Sequence, residues 1–180
     1  MLCKCRLKQP HQFCCLLFRT FMFPNMANTN ETMEPEIPDT GAVFTFGKSK
    51  FAENAPSKFW IKRDMITALS CGDEHTAVVT SSGRIFTFGS NESGQLGLGH
   101  NNNVIKPSCV KSIKPDRVRA VACGKGHTIV CTESAKLFGF GSNTEGQLGI
   151  GLKDVESCEH PLEIIIHQKG KSFIIVSKLI

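Results

Sequence analysis

Leu69–Gly99, LSCGDEHTAVVTSSGRIFTFGSNESGQLGLG, returns without a gap as Val121–Gly151, VACGKGHTIVCTESAKLFGFGSNTEGQLGIG. The offset is 52, and 17 of the 31 aligned positions are identical. A third, partial copy lies upstream, where Gly41–Gly47 (GAVFTFG) matches Gly83–Gly89 (GRIFTFG). Self-similarity at a fixed period of this size marks one structural unit copied along the chain. It is strong evidence for a repeat architecture and weak evidence for any particular chemistry.

Each copy reads as strands. His75–Thr80 (HTAVVT) and Arg84–Phe88 (RIFTF) are short β-prone runs, with Ser81-Ser82-Gly83 as the turn between them. Their counterparts are His127–Val130 and Lys136–Phe140. Ile66–Cys71 and Val118–Cys123 supply a preceding strand in each copy, and Lys106–Val110, set off by Pro107, supplies a fourth. Four short antiparallel strands in about 50 residues correspond to one propeller blade. Strands this short bury enough surface only by stacking blade on blade. The predicted fold is therefore all-β, a partial β-propeller of about two blades plus a fragment.

The repeated residues are Cys71, Gly72, His75, Gly89, Gly94, Gln95, Gly97 and Gly99, with their copies Cys123, Gly124, His127, Gly141, Gly146, Gln147, Gly149 and Gly151. Gly94–Gly99 has its glycines in the order GxxGxG, with no following Lys-Ser/Thr, and Asn101, Asn102 and Asn103 come next in place of an amphipathic helix. That argues against a phosphate-binding loop and for positive φ or close backbone approach in a turn. A zinc site from Cys71, His75, Cys123 and His127 is the sharper reading of the Cys-x3-His pairs. Repetition sets the two pairs a blade apart, however, so each His is read as a hydrogen-bonded internal residue tying neighbouring strands. We expect no catalytic residue, metal or cofactor, and no enzyme active site; all sixteen positions are assigned structural roles.

Composition agrees with short strands and tight turns: Gly 16, Phe 13, one Trp and no Tyr. The net charge of +5 sits within residues 41–151, which hold 13 basic and 8 acidic residues. No Lys/Arg cluster is dense enough to mark a nucleic-acid face. Nine cysteines, four of them crowded at Cys3, Cys5, Cys14 and Cys15, do not make the even framework of a secreted scaffold. A reducing, cytoplasmic location is the simplest reading. At the N-terminus, Lys4, Arg6 and Lys8 precede the apolar run Phe13–Phe18, but Arg19 interrupts it and no small-residue cleavage site follows closely. The run is too short to span a membrane as a helix. Residues 1–40 are read as a disordered extension, with Met26 an alternative start to Met1. Residues 41–151 are the partial propeller, and 152–180 a truncated or atypical tail.

The combination xxCGxxHTxxxT with FGxNxxGQLGxG, at a spacing near 50, resembles the regulator of chromosome condensation family. That resemblance covers residues 41–151 and implies a seven-bladed propeller, which at about 52 residues per blade needs roughly 360 residues. More narrowly, Gly41–Asn54, Lys58-Phe59-Trp60, Leu69–Thr80 and Lys106–Val118 resemble a ciliary GTPase-regulator branch of the family. This implies a protein-interaction scaffold for cilium assembly or ciliary trafficking, at the basal body, connecting cilium or transition zone. The implied partners are an interacting coiled-coil scaffold protein, the prenyl-binding delta protein and Arf-like small GTPases. The alternative is guanine-nucleotide exchange on a small GTPase, the activity of the family's founding member. That activity needs an inserted wedge, and no insertion interrupts these two copies.

Overall fold

The computed structural model describes residues 14–18, 38–46, 57–151 and 154–165. Among them the chain is all-β, with one three-residue 3-10 turn at Lys111–Ile113. Among the described residues, three antiparallel sheets follow one another in sequence order. The first holds β1 (Cys14–Phe18), β2 (Ala42–Phe46) and β3 (Ser57–Phe59). The second is a four-stranded meander of β4 (Ile66–Cys71), β5 (His75–Thr80), β6 (Ile85–Gly89) and β7 (Val104–Cys109). The third repeats it with β8 (Val118–Cys123), β9 (His127–Thr132), β10 (Leu137–Ser142) and β11 (Ser157–Ile164). Two successive meanders with the same strand order, at the same offset, are two blades of a β-propeller.

Two segments differ from the sequence reading. Cys14–Phe18, placed in the disordered extension, pairs with β2 in register from Cys14↔Phe46 to Phe18↔Ala42. A short apolar run here covers the row of N–H and C=O groups that β2 would otherwise leave open. The rest of residues 1–37, Met26 included, lies outside the described residues. The tail set apart at 152–180 contains β11, which completes the second blade by pairing with β10 from Leu137↔Ile164 to Ser142↔Ser157. Its sequence, SCEHPLEI, reads poorly as a strand because Glu and Pro are depleted in sheets. An outermost strand tolerates them, since one of its edges makes no ladder. The apolar run Phe173–Val176 lies outside the described residues.

Packing between sheets explains why β5, HTAVVT, carries Ala77, Val78 and Val79 in a row instead of alternating apolar with exposed polar residues. All six of its residues are buried. Val78 packs with Val43, Ile66 and Phe88 toward the first sheet, where the rings of Phe59 and Phe88 meet edge to face at 5.3 Å. Ala77 and Val79 belong to the opposite core, with Ile85, Val110, Ile113, Val118, Val130 and Phe140, between the two blades. A strand covered on both faces needs apolar residues on both.

The hairpin turns carry one local mismatch. In the first blade Gly83 closes the turn with φ +78 and a bond from its N–H to Thr80 O of 2.9 Å. The second blade has Ala135 there, at φ +62, with the equivalent bond of 3.1 Å to Thr132 O. A Cβ in the left-handed region crowds the following carbonyl. Ala135→Gly is expected to raise stability by roughly 0.5–1 kcal/mol, read as a higher urea midpoint. A midpoint that stays put or falls would count against strain at this turn.

Candidate functional site

His75, Gly72, Gln95, Gly97, Cys123, Gly124 and Gly141 lie on the seam between the two blades, whereas the loop glycines Gly146, Gly149 and Gly151 of the second copy make no contact across it. His75 begins β5, is buried, and its Nε2 lies 2.8 Å from Thr128 Oγ1 on β9. Thr128 Oγ1 in turn donates to Gln95 O at 2.8 Å, in the Gly-rich loop of the first blade. With its only proton used there, the hydroxyl accepts from His75, which makes His75 a neutral Nε2–H tautomer. Burial, with a lesser contribution from the charge of His127, pushes the His75 pKa down to about 3. A second link crosses the same seam: Cys123 N donates to Ser70 Oγ at 2.9 Å. Gly72 permits the approach, since a Cβ there would sit 2.4 Å from both Gly124 O and His75 Cε1.

The loop glycines Gly94, Gly97, Gly99, Gly146, Gly149 and Gly151 all have positive φ, between 65° and 79°. Two residues of the FGxNxxGQLGxG pattern, not among the sixteen positions given roles from the sequence, build these loops. Asn91 Oδ1 accepts from Leu96 N at 2.9 Å, and Asn143 Oδ1 accepts from Leu148 N at 3.2 Å. Gln95 and Gln147 act beside them, each taking a backbone N–H two residues earlier through Oε1. Gly89 and Gly141, with φ of 114° and 104°, sit against the backbone of Glu74 and of Gly126 respectively. Asn91 and Asn143 were visible as another identity at the offset of 52. So were Thr76 and Thr128, of which the second completes the His75 link.

A buried ionic knot at the β5–β6 hairpin was also missed. Asp64, 3% exposed, accepts from Ser81 Oγ at 3.0 Å, Ser82 N at 3.1 Å, Ser82 Oγ at 2.5 Å, and Arg84 Nε and Nη2 at 3.1 and 2.6 Å. Burial alone would raise its pKa. The bonds from Ser82, Thr80 and Arg84 outweigh that and hold it well below the usual carboxylate range. The pair has a repeat copy, Asp116 with Lys136 at 3.4 Å, which is more open to solvent. Asp64→Asn is expected to cost about 2–4 kcal/mol, because it breaks a hydrogen-bonded buried charge pair. Asp116→Asn is expected to cost less than about 1 kcal/mol. Urea unfolding of both variants checks the contrast, and equal losses would contradict it.

Among the described residues no group of three or more His, Cys, Asp or Glu is placed to hold a metal ion. His75 Nε2 is already engaged by Thr128. Among the described residues, Cys71, Cys109, Cys123, Cys131 and Cys158 form no disulfide with one another. No described helix is long and apolar enough to cross a membrane. His75 Nδ1 is buried without a hydrogen-bond partner, while the hydrogen bonds described above run from one blade to the other, so the chemistry of the seam is that of a joint.

A blade pair of this geometry, with these residues in the joint, defines a repeat protein of the regulator of chromosome condensation class. Family models described as the regulator of chromosome condensation (RCC1) repeat match residues 82–131, and residues 66–95 and 118–147. The chain belongs to this repeat family. It is 58% identical over 129 residues to the X-linked retinitis pigmentosa GTPase regulator of Homo sapiens, covering 71% of this chain and 13% of that protein. To the protein of that name from Canis lupus familiaris it is 54% identical over 138 residues, covering 76% of this chain and 14% of the relative. The chain thus spans a small part of the length of these relatives. The crystal structure of Prp20p from Saccharomyces cerevisiae shares the fold, with a TM-score of 0.64 at 14% identity over 73% of this chain and 36% of that one.

Proposed function

We propose that this chain is a protein-binding module of small-GTPase regulation, acting as a scaffold at the base of the cilium. The observation that carries the reading is its likeness, at more than half of aligned positions, to proteins named as GTPase regulators. The structure is compatible in a specific way. The repeated polar groups hold the blades together, which leaves the loops at the blade ends and the outer strands as the surface a partner meets. The partners proposed are an interacting coiled-coil scaffold protein, the prenyl-binding delta protein and Arf-like small GTPases, with a role in cilium assembly or ciliary protein trafficking.

The test immobilises the 180-residue chain and measures binding to Arf-like GTPases loaded with GDP or a GTP analogue, and to the delta protein. Nucleotide release is followed in parallel. Saturable binding with an unchanged release rate is expected. Accelerated release would replace the scaffold reading with nucleotide exchange, and failure to bind any of these partners would refute it. A tagged chain in ciliated cells is expected to concentrate at the ciliary base; diffuse signal would refute the ciliary assignment.

A further inference from the structure

On the outer side of the blade seam, the Gly-rich loop of the first blade and β7 face β11 of the second. Gly99 N donates to Glu159 O at 3.0 Å, and Asn101 Nδ2 donates to Glu159 Oε1 at 2.8 Å. His160 lies against Gly99, whose Cβ would meet the ring at 2.4 Å. Below this contact is a cavity of about 530 Å³. Gly97, Leu98 and Val104 form an apolar part of its lining, and His100, Lys111, Ser112 and His160 supply polar groups.

The chemistry of that lining is one-sided. Lys111 brings a full positive charge, and no carboxylate lines the cavity. The His100 ring is oriented: Asn102 N donates to its Nδ1 at 3.1 Å, so Nε2 carries the proton and is a donor. Ser112 adds a hydroxyl. The Ser108 hydroxyl is not a free donor, because its proton goes to Lys106 O at 3.2 Å. Glu159, next to His160 in the chain, is tied to Asn101. An ammonium, a ring N–H and a hydroxyl around one space suit an oxyanion with three terminal oxygens better than a two-oxygen carboxylate.

We propose that this inter-blade cavity is a binding site for a phosphate group, independent of which GTPase or scaffold the module serves. The phosphate has two sources, a phosphorylated side chain of a partner protein or free inorganic phosphate. The site spans both blades, since Leu98 and His100 follow the first blade's GQLG turn and His160 stands on the next blade's outer strand. Joining the two blades is therefore a condition for forming it.

The experiment titrates the 180-residue chain, isotopically labelled, with a short phosphoserine peptide, its unphosphorylated counterpart and inorganic phosphate. Amide and side-chain shifts are followed at residues 97–112 and 160. The phosphopeptide is expected to perturb that set saturably, and the unphosphorylated peptide to bind about tenfold more weakly or not at all. Lys111→Gln, an exposed substitution outside the core, is expected to weaken binding about tenfold while leaving the rest of the spectrum in place. Phosphopeptide binding well above that of inorganic phosphate assigns the source to a protein. Equal binding assigns it to the free ion, and both results support the site. Shifts insensitive to phosphorylation or to Lys111→Gln, or no shifts with either phosphate ligand, would overturn it.

Discussion

Between pH of about 6.5 and about 3 the chain is expected to lose stability steadily, because His75 must stay neutral in the fold. The unfolded chain takes up a proton on this ring near the ordinary value of 6.5, whereas the folded chain does so only near 3. Within that window the unfolded state binds more protons, so stability rises with pH there. The contribution is complete above about 6.5 and disappears as pH falls toward 3, with a total on the order of 3–5 kcal/mol. His127 acts in the same direction, since burial lowers its pKa too. Asp64 joins only in stronger acid, because a depressed carboxyl stabilises above its unfolded value and releases that stability below it. The urea midpoint, measured at intervals from pH 7.5 to 4, is the readout. His75→Gln should flatten the curve in this window while lowering stability at neutral pH. Thr128→Val should cost about 2–4 kcal/mol even at neutral pH, by stranding a buried ring N–H and a carbonyl. A midpoint independent of pH from 7.5 to 4 would show that His75 is not sealed in the seam.

The second large effect is steric. Gly141 has φ +104, and a Cβ built on it would lie 2.4 Å from Gly126 O, 2.7 Å from His127 Cα and 3.0 Å from Gln95 Cα. All three obstacles are backbone, and Gln95 belongs to the preceding blade, so no rotamer change relieves the clash. Gly141→Ala is expected to cost about 4 kcal/mol or more, from backbone strain and a forced opening of the seam. Gly146→Ala is the matched control. Its φ is +70, and its Cβ would have nothing within 4 Å. The expected loss there is about 1 kcal/mol. Circular dichroism melts of the two variants separate the cases. A Gly141→Ala protein melting beside the Gly146→Ala protein would contradict the packing described at the seam.

The repeat made most strands legible because their signals are local. Ile66–Cys71, His75–Thr80 and Val118–Cys123 match the structure residue for residue, and β6 differs by one residue at each end. What escaped was local sequence that does not look like its structure. The charged, proline-containing β11 and the strand Cys14–Phe18 are held by the neighbour each one pairs with. The paired side chains escaped for a related reason. Asp64 and Arg84, or His75 and Thr128, are far apart in the chain, so only the recurrence of each at the same offset hinted that they act together. The sequence reading of the sixteen repeated positions as structural did not name what any of them bonds to.

By itself, the sequence determined the period, the strands and the turns of this protein. It could do so because a hairpin turn or a positive-φ glycine is set by a few adjacent residues. The tertiary structure alone decided which copy is sealed. HTAVVT in β5 is buried throughout, while the closely similar HTIVCT in β9 alternates between buried and half-exposed. The same divergence separates fully buried His75 from half-exposed His127, and the Asp64 knot from its open copy at Asp116. Burial and the pKa shifts that follow from it depend on what packs across a residue. β5 has sheets on both faces, and among the described residues β9 has the preceding blade on one.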